Sequence, residues 1–338
     1  MVIILRPGTD KAIAERVIDK VKELGFTPHP IYGVINTVIA VIGDRTQEAM
    51  ETLEAMPGVD RVVPILRPYK LAGREVKPEP TVITLPNGAQ IGGPSVAVIA
   101  GPCAVESREQ FLETASYVKQ AGAQVLRGFI YKARTSPHDF QGIRDEGIEL
   151  LREARDLTGM PLVTEILDTR DVEKLHDVVD VFQIGARNMQ NYALLAEVGL
   201  SDRPVLLKRG LSATIDDLLK AAEYILVGGN QQVMLCERGI RTFETQTRNT
   251  LDISAVPVLQ RYSHLPVLVD PSHAGGHDWL VPALSKAAIA AGADGLIIET
   301  HPNPAAALVD GPQSLTPEAF KELMGQLPAF AYAAGRTM

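Results

Sequence analysis

From Ser95 to the C-terminus the chain alternates short apolar runs with amphipathic stretches, and this alternation constrains the fold more than any other feature. The apolar runs fall at 96–100, 124–127, 161–165, 181–185, 204–208, 232–236, 266–270 and 295–299. They are continuous and rich in Val, Ile and Leu, as expected of parallel strands covered on both faces. Helical periodicity fills the gaps near 107–120, 145–158, 169–178, 189–198, 214–227, 254–262 and 278–291, and again near 316–333. Eight βα units in about 240 residues predict a (β/α)8 barrel. A doubly wound open sheet is the alternative. The first βα turn, Gly101-Pro102-Cys103-Ala104, carries no G-x-G-x-x-G, so dinucleotide binding has no support.

The 338 residues exceed what one barrel needs, and the part before it reads differently. Residues 2–6 form a strand, and Thr9-Asp10 caps a helix carrying Ile13, Val17, Ile18, Val21 and Leu24 up to Gly25. Strands are expected at 26–32 and 35–42, a helix from Thr46 to Met56, and a last strand at 60–66. The order βαββαβ is that of a ferredoxin-like domain, here residues 1–68. Its residues include no cluster of Cys, His or paired carboxylates, so it is either a structural appendage or a small-molecule sensor. A linker with a β-hairpin occupies 69–94, the hairpin turning at Pro86-Asn87-Gly88, and the barrel takes 95–338.

A net charge of −8 argues against a nucleic-acid partner. No apolar run approaches the roughly 20 residues of a membrane span. The N-terminus lacks a signal peptide's apolar core and cleavage site, so a cytoplasmic protein is expected. Two cysteines, Cys103 and Cys236, are too few for a disulfide framework.

Active sites of such barrels sit at the C-terminal ends of the strands. Here nearly every strand exit carries a functional group: Cys103, Arg127, Glu165, Gln183, Lys208-Arg209, Cys236-Glu237-Arg238, Asp270 with His273, and Glu299 with His301. Cys103, His273, Glu299 and Asp310 can converge on one divalent cation. A thiolate, an imidazole and two carboxylates match neither a closed Cys-rich zinc cage nor an all-oxygen calcium site. The set suits Mn²⁺, Fe²⁺, Zn²⁺ or Co²⁺, and ligand type alone does not rank them. Arg127, Lys132, Arg187, Lys208 and Arg238 come from five different exits and suit a phosphate plus a carboxylate. Arg134-Thr135-Ser136 on one loop suits a second phosphate. Two phosphate sites beside one metal point to two phosphorylated substrates being joined, or to one bisphosphate.

These motifs, from Gly101-Pro102-Cys103 through Leu126-Arg127-Gly128, Lys132-Ala133-Arg134-Thr135-Ser136, Gln183-Ile184-Gly185-Ala186-Arg187-Asn188, Leu207-Lys208-Arg209-Gly210 and Cys236-Glu237-Arg238-Gly239 to Asp270-Pro271-Ser272-His273, resemble 3-deoxy-D-arabino-heptulosonate 7-phosphate (DAHP) synthase. The similarity is to the type I beta branch that carries a ferredoxin-like domain before the barrel. It implies condensation of phosphoenolpyruvate with erythrose 4-phosphate, the first step of the shikimate pathway. It implies Cys103, His273, Glu299 and Asp310 as metal ligands, with Lys132 beside them at the reacting centre. It implies a phosphoenolpyruvate site of Arg127, Lys132, Ala186, Arg187, Lys208 and Arg238, and an erythrose 4-phosphate site of Arg134, Thr135 and Ser136. It further implies a homotetramer and a sensor domain for an aromatic amino acid, tyrosine or phenylalanine. The family usually has Pro where this chain has Ala133. The sister 3-deoxy-manno-octulosonate 8-phosphate synthase, which uses arabinose 5-phosphate, has Ala there followed by an Asn that is missing here. That activity is one alternative, and a non-catalytic metabolite-binding barrel is another. An oxidative Cys103–Cys236 link is a further expectation to test.

Overall fold

The computed structural model describes residues 1–33, 37–43, 46–63, 68–134 and 136–338. The chain divides into two compact units, Met1–Glu79 with Tyr262–His264, and Pro80–Arg261 with Leu265–Met338.

In the first unit, β1 (Val2–Leu5), α1 (Lys11–Glu23), β2 (Thr27–Tyr32), β3 (Thr37–Ile42), α2 (Gln47–Glu54) and β4 (Val59–Val63) follow one another. The antiparallel sheet runs β2-β3-β1-β4, which is the ferredoxin-like arrangement. Asp10 caps α1 by accepting from the Ala12 N–H, and Thr46 caps α2 by accepting from the Ala49 N–H. Val17 and Val21 of α1 are buried against Ile3, Leu5, Ile39 and Val41, while Ile18 and Leu24 are only partly covered. Residues 35–36 of the expected third strand and 64–66 of the expected last one lie outside the described residues.

The second unit opens with the hairpin β5 (Ile83–Thr84) and β6 (Gln90–Ile91). The barrel follows as β7 (Ala97–Gly101), α3 (Arg108–Gln120), β8 (Val125–Arg127), α4 (Ile148–Thr158), β9 (Leu162–Glu165), α5 (Arg170–His176), β10 (Val181–Ile184) and α6 (Tyr192–Gly199). It continues through β11 (Val205–Lys208), α7 (Ile215–Val227), β12 (Val233–Glu237), α8 (Ala255–Tyr262), β13 (Val267–Val269), α9 (Pro271–Gly275), α10 (Val281–Ala290), β14 (Gly295–Glu299) and α11 (Pro317–Ala333). All neighbours are parallel, and β14 closes on β7 from Gly295↔Ala97 to Glu299↔Gly101.

The barrel interior is packed, with Ile99, Val163, Leu206, Met234, Leu268 and Ile297 meeting inside it. Ile83, Leu85 and Ile91 of the hairpin join this cluster. Cys236 belongs to it too: it lies within β12 rather than after it, and burial pushes its thiol up. Both cysteines are free. The one barrel helix not expected from periodicity is α9. Its signal is local: Asp270 accepts from the His273 N–H as N-cap, and Pro271 occupies the first turn. Among the described residues, no helix is long and apolar enough to cross a membrane.

Candidate metal and substrate site

At the C-terminal mouth of the barrel, one ligand atom from each of Cys103, His273, Glu299 and Asp310 lies within 4.8 Å of the others. The Cys103 thiol donates to Asp310 Oδ2 at 3.1 Å. His273 Nε2 stands 3.3 Å from Glu299 Oε1 and 3.8 Å from Asp310 Oδ2. These residues come from four segments: the β7 exit, α9, the end of β14, and the loop before α11. Only the last needs an unusual backbone, since Asp310 adopts a left-handed conformation at φ 51°.

The Asp270-Pro271-Ser272-His273 motif builds the corner between β13 and α9. Asp270 Oδ2 is 2.7 Å from His273 Nδ1, which leaves Nε2 facing the other ligands. Lys208 donates to the same Asp270 oxygen. Ser272 Oγ accepts the Glu299 N–H at 3.0 Å, tying the end of β14 to α9. Burial holds the His273 imidazole below its usual range, against the pull of Asp270, which favours the neutral ring a metal ligand requires. Burial opposes ionisation of Glu299 and Asp310, but His273 and the nearby cations outweigh it and hold both below the usual carboxylate range. Burial, reinforced by Glu299, pushes the Cys103 thiol well up, so a cation binding there must displace a proton. The donor set, its convergence and the fixed imidazole together fit a divalent cation.

Above this cluster opens a cavity of about 290 Å³. Of the residues expected in the site, Lys132, Arg134, Ala186, Arg187, Lys208, Arg238, His273 and Asp310 line it. Lys132 stands 3.9 Å from Asp310 Oδ2. Burial works against its charge, but Cys103, Glu165, Glu299 and Asp310 more than offset this and hold its pKa up. Arg238 is 5% exposed, burial lowers its pKa, and its Nη1 has no partner among the described residues. Such an orphaned, buried guanidinium nitrogen is a place for an anion's oxygen. Arg134 pairs with Asp139 at 3.0 Å, and Ser136 Oγ accepts from the His138 N–H at 3.3 Å. Thr135 lies outside the described residues.

Arg127 is placed differently from the other cations. It does not line the cavity; its guanidinium is fully buried, donating to Glu299 Oε1 at 2.8 Å and to the Pro102 carbonyl at 3.1 Å. It also lies over the Phe129 ring at 4.3 Å, and its Nη1 has no partner among the described residues. Arg209 is likewise turned to structure, pairing with Glu237 and Asp252 at 2.8 Å each. His301 is buried, with Nδ1 accepting from the Asn303 N–H, and it does not line the cavity.

Four lining residues were not singled out by the strand-exit pattern: Leu211, Arg241, Arg248 and Asn249. All sit in loops without periodicity. Glu165 and Gln183, strand-exit residues without an assigned role, also line the cavity, with Gln183 Nε2 donating to Glu165 Oε2 at 3.4 Å. Gln313, which donates to Glu299, gave no sequence signal at all.

Comparison with known proteins places these features. Residues 80–330 match the DAHP synthetase I family, and residues 1–67 match the DAHP synthase ferredoxin-like domain. The chain is 49% identical over 335 residues to the phospho-2-dehydro-3-deoxyheptonate aldolase of Thermotoga maritima, covering 99% of both proteins. A crystal structure of Thermotoga maritima DAHP synthase superposes with a TM-score of 0.78 at 48% identity, covering 99% of this chain and 98% of that one. The 2-dehydro-3-deoxyphosphooctonate aldolase of Acidithiobacillus ferrooxidans is 35% identical over 235 residues, 64% of this chain and 83% of that protein.

Proposed function

Since the chain belongs to the DAHP synthetase I family, whose synthase activity it carries, we propose that its barrel mouth joins phosphoenolpyruvate to erythrose 4-phosphate around one divalent cation held by Cys103, His273, Glu299 and Asp310. The observation that supports this most is positional. Four ligand atoms converge, and two of their residues, His273 and Asp310, line a cavity that Lys132, Arg134, Arg187, Lys208 and Arg238 also line. A bound cation there supplies Lewis-acid polarisation of the aldehyde carbonyl, with Mn²⁺ the first choice and Fe²⁺, Zn²⁺ or Co²⁺ compatible with the same donors.

The chain's own groups carry the rest. Arg187, Lys208 and Arg238, with the backbone at Ala186, hold the phosphate and carboxylate of phosphoenolpyruvate, while Arg127, buried against Glu299, supports the Glu299 carboxylate from outside the cavity. Arg134, Thr135 and Ser136 hold the phosphate of the aldose. Lys132, close to both Asp310 and the cavity, hydrogen-bonds the aldehyde oxygen and stabilises the alkoxide that develops as C3 of phosphoenolpyruvate attacks. Water then adds at C2, and phosphate departs with cleavage of its C–O bond. Glu165, a cavity carboxylate outside the ligand set, is placed to take the proton from that water.

The four-carbon aldose is preferred over arabinose 5-phosphate for two reasons. The heptonate aldolase relative matches the full chain, and Arg134 follows Ala133 with no Asn between. The test is phosphoenolpyruvate consumption with Mn²⁺, offering each aldose phosphate in parallel, with and without EDTA. Faster turnover of erythrose 4-phosphate that EDTA abolishes is expected. Faster turnover of arabinose 5-phosphate would overturn the substrate, and turnover indifferent to EDTA would overturn the metal.

The N-terminal unit is the sensor of an aromatic amino acid in this reading, tyrosine first and phenylalanine second, a role its family match supports. A chain shortened to begin at Pro80, which retains the hairpin, is expected to stay active and lose inhibition. Retained inhibition would place the effector site in the barrel.

A further inference from the structure

We propose that Arg248 and Gln313 form a positioning pair that aims the two carboxylate ligands, Glu299 and Asp310, at the metal; this deepens the metal reading above and rests on it. Arg248 Nη1 donates to Asp310 Oδ1 at 3.1 Å and to Gln313 Oε1 at 2.6 Å. Gln313 Nε2 in turn donates to Glu299 Oε2. Each carboxylate thus has one oxygen engaged on the outside of the cluster. The other oxygens, Glu299 Oε1 and Asp310 Oδ2, are those that face His273 and Cys103. Arg248 thereby fixes the outer oxygen of Asp310 and Gln313 that of Glu299, whose inner oxygen Oε1 also accepts from Arg127 at 2.8 Å.

Both partners are anchored. Gln313 is 2% exposed. The Arg248 N–H donates to the Gly275 carbonyl at 3.0 Å, and the Asn249 side chain donates to the His273 carbonyl at 3.0 Å. The segment carrying Arg248 is thereby stitched to α9, which carries the histidine ligand. Packing is close enough that a Cβ on Gly276 would stand 2.4 Å from Arg248 Cβ. Asp310 needs such support, because a left-handed backbone at a non-glycine residue persists only when its surroundings hold it. Hydrogen-bonded outer partners of this kind are a recurrent requirement of metal sites.

An opposite effect is conceivable on charge alone, since a cation beside the site repels a metal ion. The two are separated by substitutions that change charge and those that do not. Gln313→Met keeps volume and charge but removes both amide bonds. Arg248→Met removes charge and fork, and Arg248→Lys keeps the charge without the fork. Metal-stripped, full-length protein without substrates is titrated with Mn²⁺, and free Mn²⁺ is read by electron paramagnetic resonance. Gln313→Met and Arg248→Met are each expected to raise the Kd about 10- to 100-fold, with Arg248→Lys between them and the unsubstituted chain. The double variant is expected to be no worse than the poorer single one, because the pair acts as a unit. With Mn²⁺ saturating, the KM for phosphoenolpyruvate is expected to hold. Unchanged Mn²⁺ affinity in Gln313→Met, or tighter binding in Arg248→Met, would overturn the proposal. A raised KM with unchanged Mn²⁺ affinity would reassign Arg248 to substrate binding. If Gln313→Met fails to fold, the two variants of the half-exposed Arg248 decide the matter. Absence of Mn²⁺ binding by the unsubstituted chain would instead defeat the metal reading itself.

Discussion

Replacing Asp270 by Asn tests whether the corner between β13 and α9 is an electrostatic device or only a turn. The side chain is fully buried and accepts three bonds: from the His273 N–H at 2.9 Å, from His273 Nδ1 at 2.7 Å, and from Lys208. Burial opposes its charge, yet His273 and Lys208 hold its pKa well below the usual carboxylate range. Asn preserves shape and one carbonyl oxygen, so the helix cap can survive. The charge facing Lys208, itself 3% exposed, cannot. Breaking one partner of a buried ion pair costs about 3–5 kcal/mol, because the remaining charge is left without compensation. Of a total stability of roughly 5–15 kcal/mol, that loss is large but survivable. Orientation suffers too, since the amide nitrogen of Asn can turn toward Nδ1 and favour the wrong tautomer. The expected loss of Mn²⁺ affinity is about 10- to 100-fold. Urea unfolding of the metal-free protein and Mn²⁺ titration read the two effects separately. An Asn variant within about 1 kcal/mol of the parent and with unchanged Mn²⁺ affinity would refute the argument. Loss of stability alone would leave Asp270 a structural anchor with no role toward the ligand.

Three further outcomes follow from the same geometry. Gly185→Ala meets no backbone strain at φ −66°, but its Cβ would stand 2.0 Å from Glu165 Oε1. It should therefore fold normally, displace the Glu165 carboxylate and lower kcat at least tenfold (about 1.4 kcal/mol); parent-level kcat would remove Glu165 from the chemistry. Cys103→Ala and His273→Ala should abolish Mn²⁺ binding with the fold intact, while Cys236→Ala, altered only in the apolar interior, should bind Mn²⁺ as the parent does; loss of binding in Cys236→Ala would contradict its assignment to the core. His264, donating through Nε2 to the Leu71 carbonyl at 2.7 Å, is held by burial down to about 4. Because the folded pKa lies below the unfolded value of about 6.5, its contribution is complete above pH 6.5 and is lost as pH falls toward 4, by roughly 1.4 kcal/mol per unit. Unfolding curves of the parent and of His264→Gln should converge over that interval, and curves that stay parallel would show that His264 does not titrate with unfolding.

The barrel was legible because burial on both faces writes itself into strands as continuous apolar runs. Each predicted run lies within a residue or two of an observed strand, from β7 to β14. The four candidate ligands, which the structure brings together, were legible for a related reason. A Cys, His, Glu or Asp at the end of an apolar run has no packing role there, so Cys103, His273 and Glu299 stand out against their own strands. Arg127 shows where that logic stops. It ends β8 as Lys208 ends β11, and the sequence treats the two alike. In the structure the Arg127 guanidinium is buried against Glu299, while Lys208 reaches the cavity wall. The difference lies in which neighbour receives each side chain, and that neighbour is 172 residues away for Arg127. Arg248 and Gln313 carry the point further. Their partners are 62 and 14 residues away, and the segments that carry Arg248 and Gln313 themselves show neither amphipathic-helix nor strand periodicity. Residues that would act on a metal ligand rather than as one leave no mark on the runs that single out the candidate ligands. They become visible only when the chain has closed and each carboxylate's second oxygen can be asked what it touches.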